Sequence, residues 1–293
     1  MNVRSLLVSL VLLCGLSSSG LLLAQDNGAF EVDAEWAGGV WDGSTSWISA
    51  DRQGRVVVLV RDAPHFRVFT REGEFVRAWG EEGLFKTAHS LTIDGQGDYW
   101  VTDSTDHAVY KFSPDGTLLL TLGKPGEAGD NEDHERFNQV NHVAITPAGD
   151  IYVSDGYQNA RVVQFDKDGR YLRSIGLGKG SGAGQLQVPH GVAVDSRGRI
   201  LVNDSDNQRV SVFDRDGVFV ESWPYPSRGG IEVLPDDTVY VSDVNAGIVN
   251  ILKDGQLLDS VQADRAHGLG VDSDGTIYVS GASRMTVMKI TRR

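Results

Sequence analysis

Along most of the chain, apolar and polar residues alternate over runs of five or six positions, and short clusters holding Gly, Asp or Asn separate the runs. That is the pattern of β-strands joined by tight turns. Six segments repeat it: "ISADRQGRVVVLVR", "LTIDGQGDYWVTD", "VAITPAGDIYVSD", "VAVDSRGRILVND", "IEVLPDDTVYVSD" and "LGVDSDGTIYVSG". Each is an alternation, a polar turn usually with Gly, and a second alternation, the signature of a β-hairpin. All but the last are followed by a second pair of strands, such as "HFRVFTREGEFVRAWG" and "RVVQFDKDGRYLRSIG". Each repeat therefore predicts about four short strands. Aligned on Asp51, the register points fall at Asp51, Asp94, Thr146, Asp195, Leu234 and Asp272, at intervals of 43, 52, 49, 39 and 38 residues. Such a period with four strands is that of a propeller blade.

The sixth repeat stops after "TVMKITRR", one strand short. Ahead of the first hairpin, "AFEVDAEWAG" resembles the fourth-strand motif "GEFVRAWG". Residues 30–36 are therefore expected to complete the last blade and close the ring. The predicted fold is all-β: one domain, a six-bladed β-propeller closed by the N-terminal strand of the mature chain.

Composition narrows the partners. The chain has 293 residues, 40% of them hydrophobic, enough for a full core. Its net charge of −13 is spread along the sequence and repels phosphate backbones, so nucleic acid is not an expected partner. The start, "MNVRSLLVSLVLLCGLSSSGLLLAQDNG", has a basic Arg4, an apolar stretch over residues 6–16 and small residues after it. This is the pattern of a signal peptide, expected to be cleaved after Ala24 rather than kept as an N-terminal anchor, because residues 17–20 interrupt the apolar run before it reaches spanning length. The expected division is residues 1–24 as signal peptide and 25–293 as propeller, with no membrane association beyond the signal segment. Cys14, the one cysteine, lies in that segment after Leu13 rather than after the small residue a lipoprotein signal wants. The mature chain would have no disulfide, and a periplasmic or secreted location is expected.

Five residues before the register points stand Ser46, His89, Asn141, His190, Gly229 and His267. Three of the seven histidines share this register, in blades two, four and six. Alternate blades of a six-fold ring lie about 120° apart around the channel. Equivalent positions at the start of the innermost strands face it. His89, His190 and His267 are thus expected to converge on the axis as three neutral nitrogens with an open fourth position, a catalytic zinc arrangement. Ser46, Asn141 and Gly229 would leave room for a substrate. His142, one residue out of register, is expected to point away from the axis, and His65, His107 and His134 to be surface or rim residues, with the channel mouth as the alternative for His65 and His107.

The turn after the second strand of blade three, "DGYQNARV", is one residue longer than "DSTDHAV", "DSDNQRV" or "DVNAGIV". The insertion is expected to push the turn outward and present Tyr157 over the channel mouth. There it can serve as a general base or acid if a nearby cation lowers its pKa. Arg61 follows the second strand of blade one, where blades two to five have Ser104, Gly156, Ser205 and Val244. It offers either a two-pronged grip on a substrate carboxylate or a rim ion pair with Asp62.

These stretches resemble known families. "VPHGVAVDSRGRILVNDSDNQRVSVFDRDG" resembles the NHL repeat, whose blades build six-bladed propellers, some of them enzymes and some binding scaffolds. "FNQVNHVAITPAGDIYVSDGYQNARVVQFDKDGRYLRSIG", followed by "GQLQVPHGVAV", resembles the peptidyl-α-hydroxyglycine α-amidating lyases. The resemblance implies a zinc bound by three histidines and cleavage of a peptidyl-α-hydroxyglycine to a peptide amide and glyoxylate. "AHSLTIDGQGDYWVTD" places one zinc ligand on His89, "VPH" a second on His190, and "RAHGLGVD" the third on His267. The catalytic tyrosine falls on Tyr157 and the catalytic arginine on Arg61. The family also binds a structural calcium through an aspartate right after the last zinc histidine and backbone groups near Ile48 and Leu91. Here that aspartate is Gly268, so calcium lacks its carboxylate. Arg265 stands at about the place of a family methionine, and Gln158 where animal members carry a disulfide cysteine. The resemblance thus implies a small-molecule or peptide substrate with a carboxylate, made by a separate hydroxylating enzyme. The competing readings are an exported NHL propeller that binds a protein or glycan without catalysis, and a lactonase or other hydrolase on the same fold.

Overall fold

The computed structural model describes residues 28–38, 43–51, 53–281 and 286–293. These form six four-stranded antiparallel sheets. Blade one runs outward through Thr45–Ala50, Arg55–Val60, Phe66–Thr70 and Phe75–Trp79. The innermost strands of blades two to five are Ala88–Ile93, Val140–Ile145, Pro189–Val194 and Ile231–Val233. In the sixth sheet, Ala266–Val271, Ile277–Gly281 and Val287–Arg292 are followed outward by Phe30–Asp33, with Phe30 opposite Arg292. The fold is the six-bladed propeller. The expected signal segment, residues 1–24, lies outside the described residues. No helix among the described residues is long and apolar enough to cross a membrane.

The register residues make the inner hairpins turn. Asp51 Oδ1 accepts the backbone N–H groups of Gln53 and Arg55, both at 2.8 Å. Asp94 does so for Gln96 and Asp98 at 2.9 and 3.0 Å, and Asp195 for Arg197 and Arg199 at 3.0 and 2.8 Å. A short acceptor side chain that satisfies the following amides is why Asp suits a turn. In blade three, Thr146 Oγ1 accepts from Asp150 at 3.0 Å; in blade five, where the register residue is Leu234, Asp236 accepts from Thr238 at 3.0 Å. The hydrogen bond to the turn persists where the residue type changes.

Sheets pack on sheets around the ring, so both faces of the inner strands are covered. This explains the unbroken apolar run in Arg55–Val60, buried through its last five residues. Each core cluster straddles two blades: Trp47, Leu59 and Phe66 of blade one lie against Leu91, Tyr99 and Phe112 of blade two. Full burial of such side chains is worth about 1.5–3 kcal/mol each. Where blade six meets blade one, Trp36 sits with its ring centroid 5.7 Å from Phe69 and 5.3 Å from Tyr278.

Long loops that lead into blades three and four are strapped down by ion pairs on buried aspartates. Arg161 bonds Asp155 at 3.0 Å and donates to the carbonyls of Asn131, Asp133 and Arg136. Arg209 bonds Asp204 at 2.9 Å and donates to those of Ser181, Gly182 and Gln185. Both loops enter the start of an innermost strand, at the end of the channel where the histidines stand.

Candidate metal centre

The register histidines reach the axis through a backbone irregularity. In five of the six innermost strands the ladder skips at the histidine register, five residues before the register point: between Thr45 and Trp47, Ala88 and Ser90, Val140 and His142, Pro189 and Val192, and Ala266 and Gly268. A β-bulge re-aims a side chain that regular pleating would send to a sheet face. His89, His190 and His267 all sit in such bulges. In blade five the strand begins at Ile231, beyond Gly229.

The three imidazoles form a near-equilateral triangle, with centroids 5.1 Å apart for His89–His190 and 5.2 Å for the other two pairs. One ring nitrogen of each lies within 4.8 Å of the others, and all three residues are buried. The second ring nitrogen is committed in the same way each time. His89 Nδ1 bonds the Asn141 carbonyl at 2.7 Å, His190 Nδ1 that of Gly229 at 3.2 Å, and His267 Nδ1 that of Ser46 at 3.0 Å. A carbonyl only accepts, so Nδ1 carries the proton and the Nε2 lone pair faces inward. Burial, with the neighbouring His267 and His89 adding to it, holds His89 and His190 well below the usual imidazole range. Burial also takes His267 down to about 4. Three neutral, tautomer-fixed imidazoles are the donor set that zinc takes, so the residues present fit that ion.

Tyr157 closes the triangle. Its hydroxyl lies 2.8 Å from His89 Nε2 and 3.4 Å from His190 Nε2. The longer turn of blade three folds inward, against the expectation that it would be pushed outward. Gly156 makes this possible: a Cβ there would stand 2.0 Å from the Pro189 carbonyl oxygen of blade four. The cation effect also differs from the expectation. Burial pushes the Tyr157 phenol up, and Arg228 and then Arg61 only oppose that rise. The phenol is therefore the hydrogen-bond donor to the histidine nitrogens.

Arg61 sits at the same mouth, and its charge acts on Tyr157, His89 and His267. Its Nε is buried without a partner, while Asp62 Oδ2 accepts the Ser44 N–H at 3.1 Å. Two further residues shape the site: Asn141, expected only to leave room for a substrate, and Arg228, which the sequence did not mark. Asn141 holds the tyrosine turn, its Oδ1 accepting the Gly156 N–H at 2.9 Å, and its Nδ2 is buried without a partner. Asn in a register shared by histidines was the available signal. Arg228, one residue before Gly229, lines two depressions of about 420 and 470 Å³ and pairs loosely with Asp206 at 3.6 Å. No sequence signal marked it, because its neighbour Asp206 belongs to another blade.

The other histidines are structural. His142 does not point away from the channel: its ring lies 5.0 Å from that of Trp47, beneath the triad, because the bulge at Asn141 also turns the next residue. His65 is buried rather than at the surface, with Nδ1 3.0 Å from the Val60 carbonyl and its ring against Phe85. His107 Nδ1 accepts the Gln139 N–H at 3.0 Å, and His134 stacks on Tyr171 at 4.1 Å.

The same channel does not fit calcium at the position the resemblance implies. A Cβ on Gly268 would lie 2.3 Å from Ser280 Oγ and 2.6 Å from Trp47 Cα, so no carboxylate has room there. The opposite end of the channel opens into a depression of about 420 Å³, but Asp51, Asp195 and Asp272 on its rim are bound to their own turns and to Arg55, Arg199 and Arg71.

Known proteins agree with this architecture. Residues 186–213 match the NHL repeat. The chain is 31% identical over 278 residues to the peptidyl-glycine alpha-amidating monooxygenase of Mus musculus, covering 86% of this chain and 28% of that protein. It thus spans under a third of that relative's length. It is 28% identical over 243 residues to a probable peptidyl-alpha-hydroxyglycine alpha-amidating lyase of Caenorhabditis elegans, covering 76% of this chain and 69% of the relative. Among solved structures, a gluconolactonase of Xanthomonas campestris superposes with a TM-score of 0.68 at 16% identity, over 89% of this chain and 92% of that one, a likeness of fold. The chain is a six-bladed β-propeller with NHL-type repeats that resembles the peptidyl-α-hydroxyglycine α-amidating lyases over most of its length.

Proposed function

We propose that this protein is an exported, zinc-dependent carbon–nitrogen lyase of the amidating type. Its substrate is a small molecule or peptide ending in an α-hydroxyglycine-like carbinolamide with a free carboxylate, supplied by a separate hydroxylating enzyme. The observation that carries the reading is the Tyr157 hydroxyl within hydrogen-bond reach of two inward Nε2 atoms whose Nδ1 partners are all backbone carbonyls. His89, His190 and His267 would hold the zinc, which supplies Lewis acidity toward the substrate hydroxyl.

Arg61 binds the substrate carboxylate; its unpartnered Nε makes no other bond that this contact must break. With the Nε2 atoms occupied, the Tyr157 hydroxyl would lose the acceptors it now donates to; having released its own proton to solvent, Tyr157 as phenolate accepts the proton from the substrate hydroxyl. As that oxygen becomes a carbonyl, the C–N bond breaks and its electron pair leaves with the amide nitrogen. Tyr157 returns the proton to this nitrogen. The products are an amide and glyoxylate, with no oxidant or water consumed. Arg228 adds positive charge near Tyr157 and favours its ionised form.

Metal analysis of the purified protein, coupled to release of glyoxylate from α-hydroxyhippurate, tests the proposal. About one zinc per chain and chelator-sensitive glyoxylate release are expected. Protein that purifies without metal and regains no activity with zinc is a binding scaffold. Zinc without glyoxylate release, together with lactone hydrolysis, makes it a hydrolase on the same fold.

A further inference from the structure

One position after the histidine register, the six blades carry Trp47, Ser90, His142, Gly191, Gly230 and Gly268. A bulky pair from blades one and three thus faces three glycines from blades four to six. The Trp47 indole is fully buried, with its centroid 5.3 Å from His267, 6.1 Å from His89 and 6.4 Å from His190. It lies beneath all three rings at once. The glycines make the space: a Cβ on Gly230 would stand 3.1 Å from Trp47 Cζ2. His142 is held at the indole's edge by its own bonds, Nδ1 lying 3.1 Å from the Val192 carbonyl and Nε2 3.5 Å from Thr92 Oγ1. Ser90 is spent on Thr102, 2.8 Å away.

A calcium ion needs six to eight oxygen ligands. This layer offers an indole, an imidazole and backbone without side chains. We infer that Trp47 and His142 form a side-chain floor that takes the place of the ion implied beneath the triad. The floor spaces the innermost strands and closes the channel under the three histidines. The cup above them has a single mouth, the one bearing Arg61 and Tyr157, and the fold does not depend on calcium. The inference stands on packing alone and is independent of the lyase chemistry.

The test measures calcium content and thermal midpoint. Wild-type protein dialysed against millimolar calcium is expected to retain far less than one calcium per chain. Its midpoint should move by no more than about 1 °C between calcium and EGTA. One bound calcium per chain, or a calcium-dependent rise of several degrees, overturns the inference. Trp47→Phe keeps a disc in the floor and removes an indole Nε1 that is buried without a partner, so its midpoint should stay within about 3 °C of wild type. Trp47→Gly empties the floor and should lower the midpoint by about 10 °C or more, without rescue by calcium. A Trp47→Gly protein that melts like wild type removes the floor from the account. If that variant does not fold, Trp47→Phe and the wild-type calcium measurement still decide.

Discussion

Blades two, four and six meet the channel axis with imidazoles, whereas blades one, three and five meet it with peptide carbonyls. His89, His190 and His267 each donate Nδ1–H to the register residue of the following blade, Asn141, Gly229 and Ser46 in turn. The histidine carbonyls are held as well: that of His89 by Ser46 Oγ at 2.7 Å, that of His190 by Ser154 Oγ at 2.7 Å, and that of His267 by the Gly230 N–H at 2.9 Å. The result is a ring of hydrogen bonds around the channel, in which each histidine blade depends on a partner blade. The comparison teaches why one set of blades is chemically uniform and the other is not. An inward imidazole needs one particular side chain, but a carbonyl is available from any residue. The partner blades therefore differ at this point, with Ser, Asn and Gly.

The largest effect should come from breaking the ligand set. His190→Ala is expected to lower metal affinity by roughly 10³-fold or more and to abolish glyoxylate release. His142→Ala, only one layer below, should keep the metal and lose about 2–4 kcal/mol of stability from the cavity it leaves. Zinc retention under a chelator series, with urea midpoints for both proteins, separates the two. Equal retention would show that the triangle holds no metal.

The contrast between His190 and His142 also marks what can be read from the chain. The blade count, the hairpins and the three histidines follow from spacing, because alternation and turn chemistry are local. The bulges do not, since they are a property of the pairing between two strands. Strict alternation therefore sent His142 outward, when the bulge at Asn141 turned it under the triad beside Trp47. The Tyr157 turn shows the same limit. Its extra residue was visible, but its inward fold depends on Gly156 clearing the Pro189 carbonyl of the next blade, a contact across 33 residues.

A smaller effect is expected where the mouth acts on substrate rather than on metal. Tyr157→Phe removes one oxygen, so zinc and fold should be unchanged while turnover falls about 10²–10⁴-fold. Arg61→Ala should instead raise KM about 10–100-fold for substrates bearing a carboxylate, with little change for those lacking one. Steady-state kinetics on a carboxylate and an amide substrate gives both answers. Full activity of Tyr157→Phe on every substrate would assign the proton transfer to another group.

The smallest effects belong to the side chains of the carbonyl-bearing blades, and they test the comparison most directly. Ser46→Ala leaves the carbonyl that receives His267 Nδ1–H and deletes only the hydroxyl bonded to blade two, at 2.9 Å to Ala88 and 2.7 Å to His89. The cost should be about 1 kcal/mol of stability, with zinc affinity and turnover nearly unchanged. Asn141→Ala likewise keeps the carbonyl for His89 but frees the Gly156 amide and so loosens the tyrosine turn. It should keep zinc and lose turnover by about 10-fold, with kcat falling more than KM changes, because the proton-transfer group is displaced while the carboxylate grip of Arg61 is intact. Asn141→Asp retains an acceptor for the Gly156 amide and should recover part of that loss. If either alanine variant lost zinc as His190→Ala does, the partner blades would be acting through their side chains. The division of the ring into ligand blades and backbone blades would then be wrong.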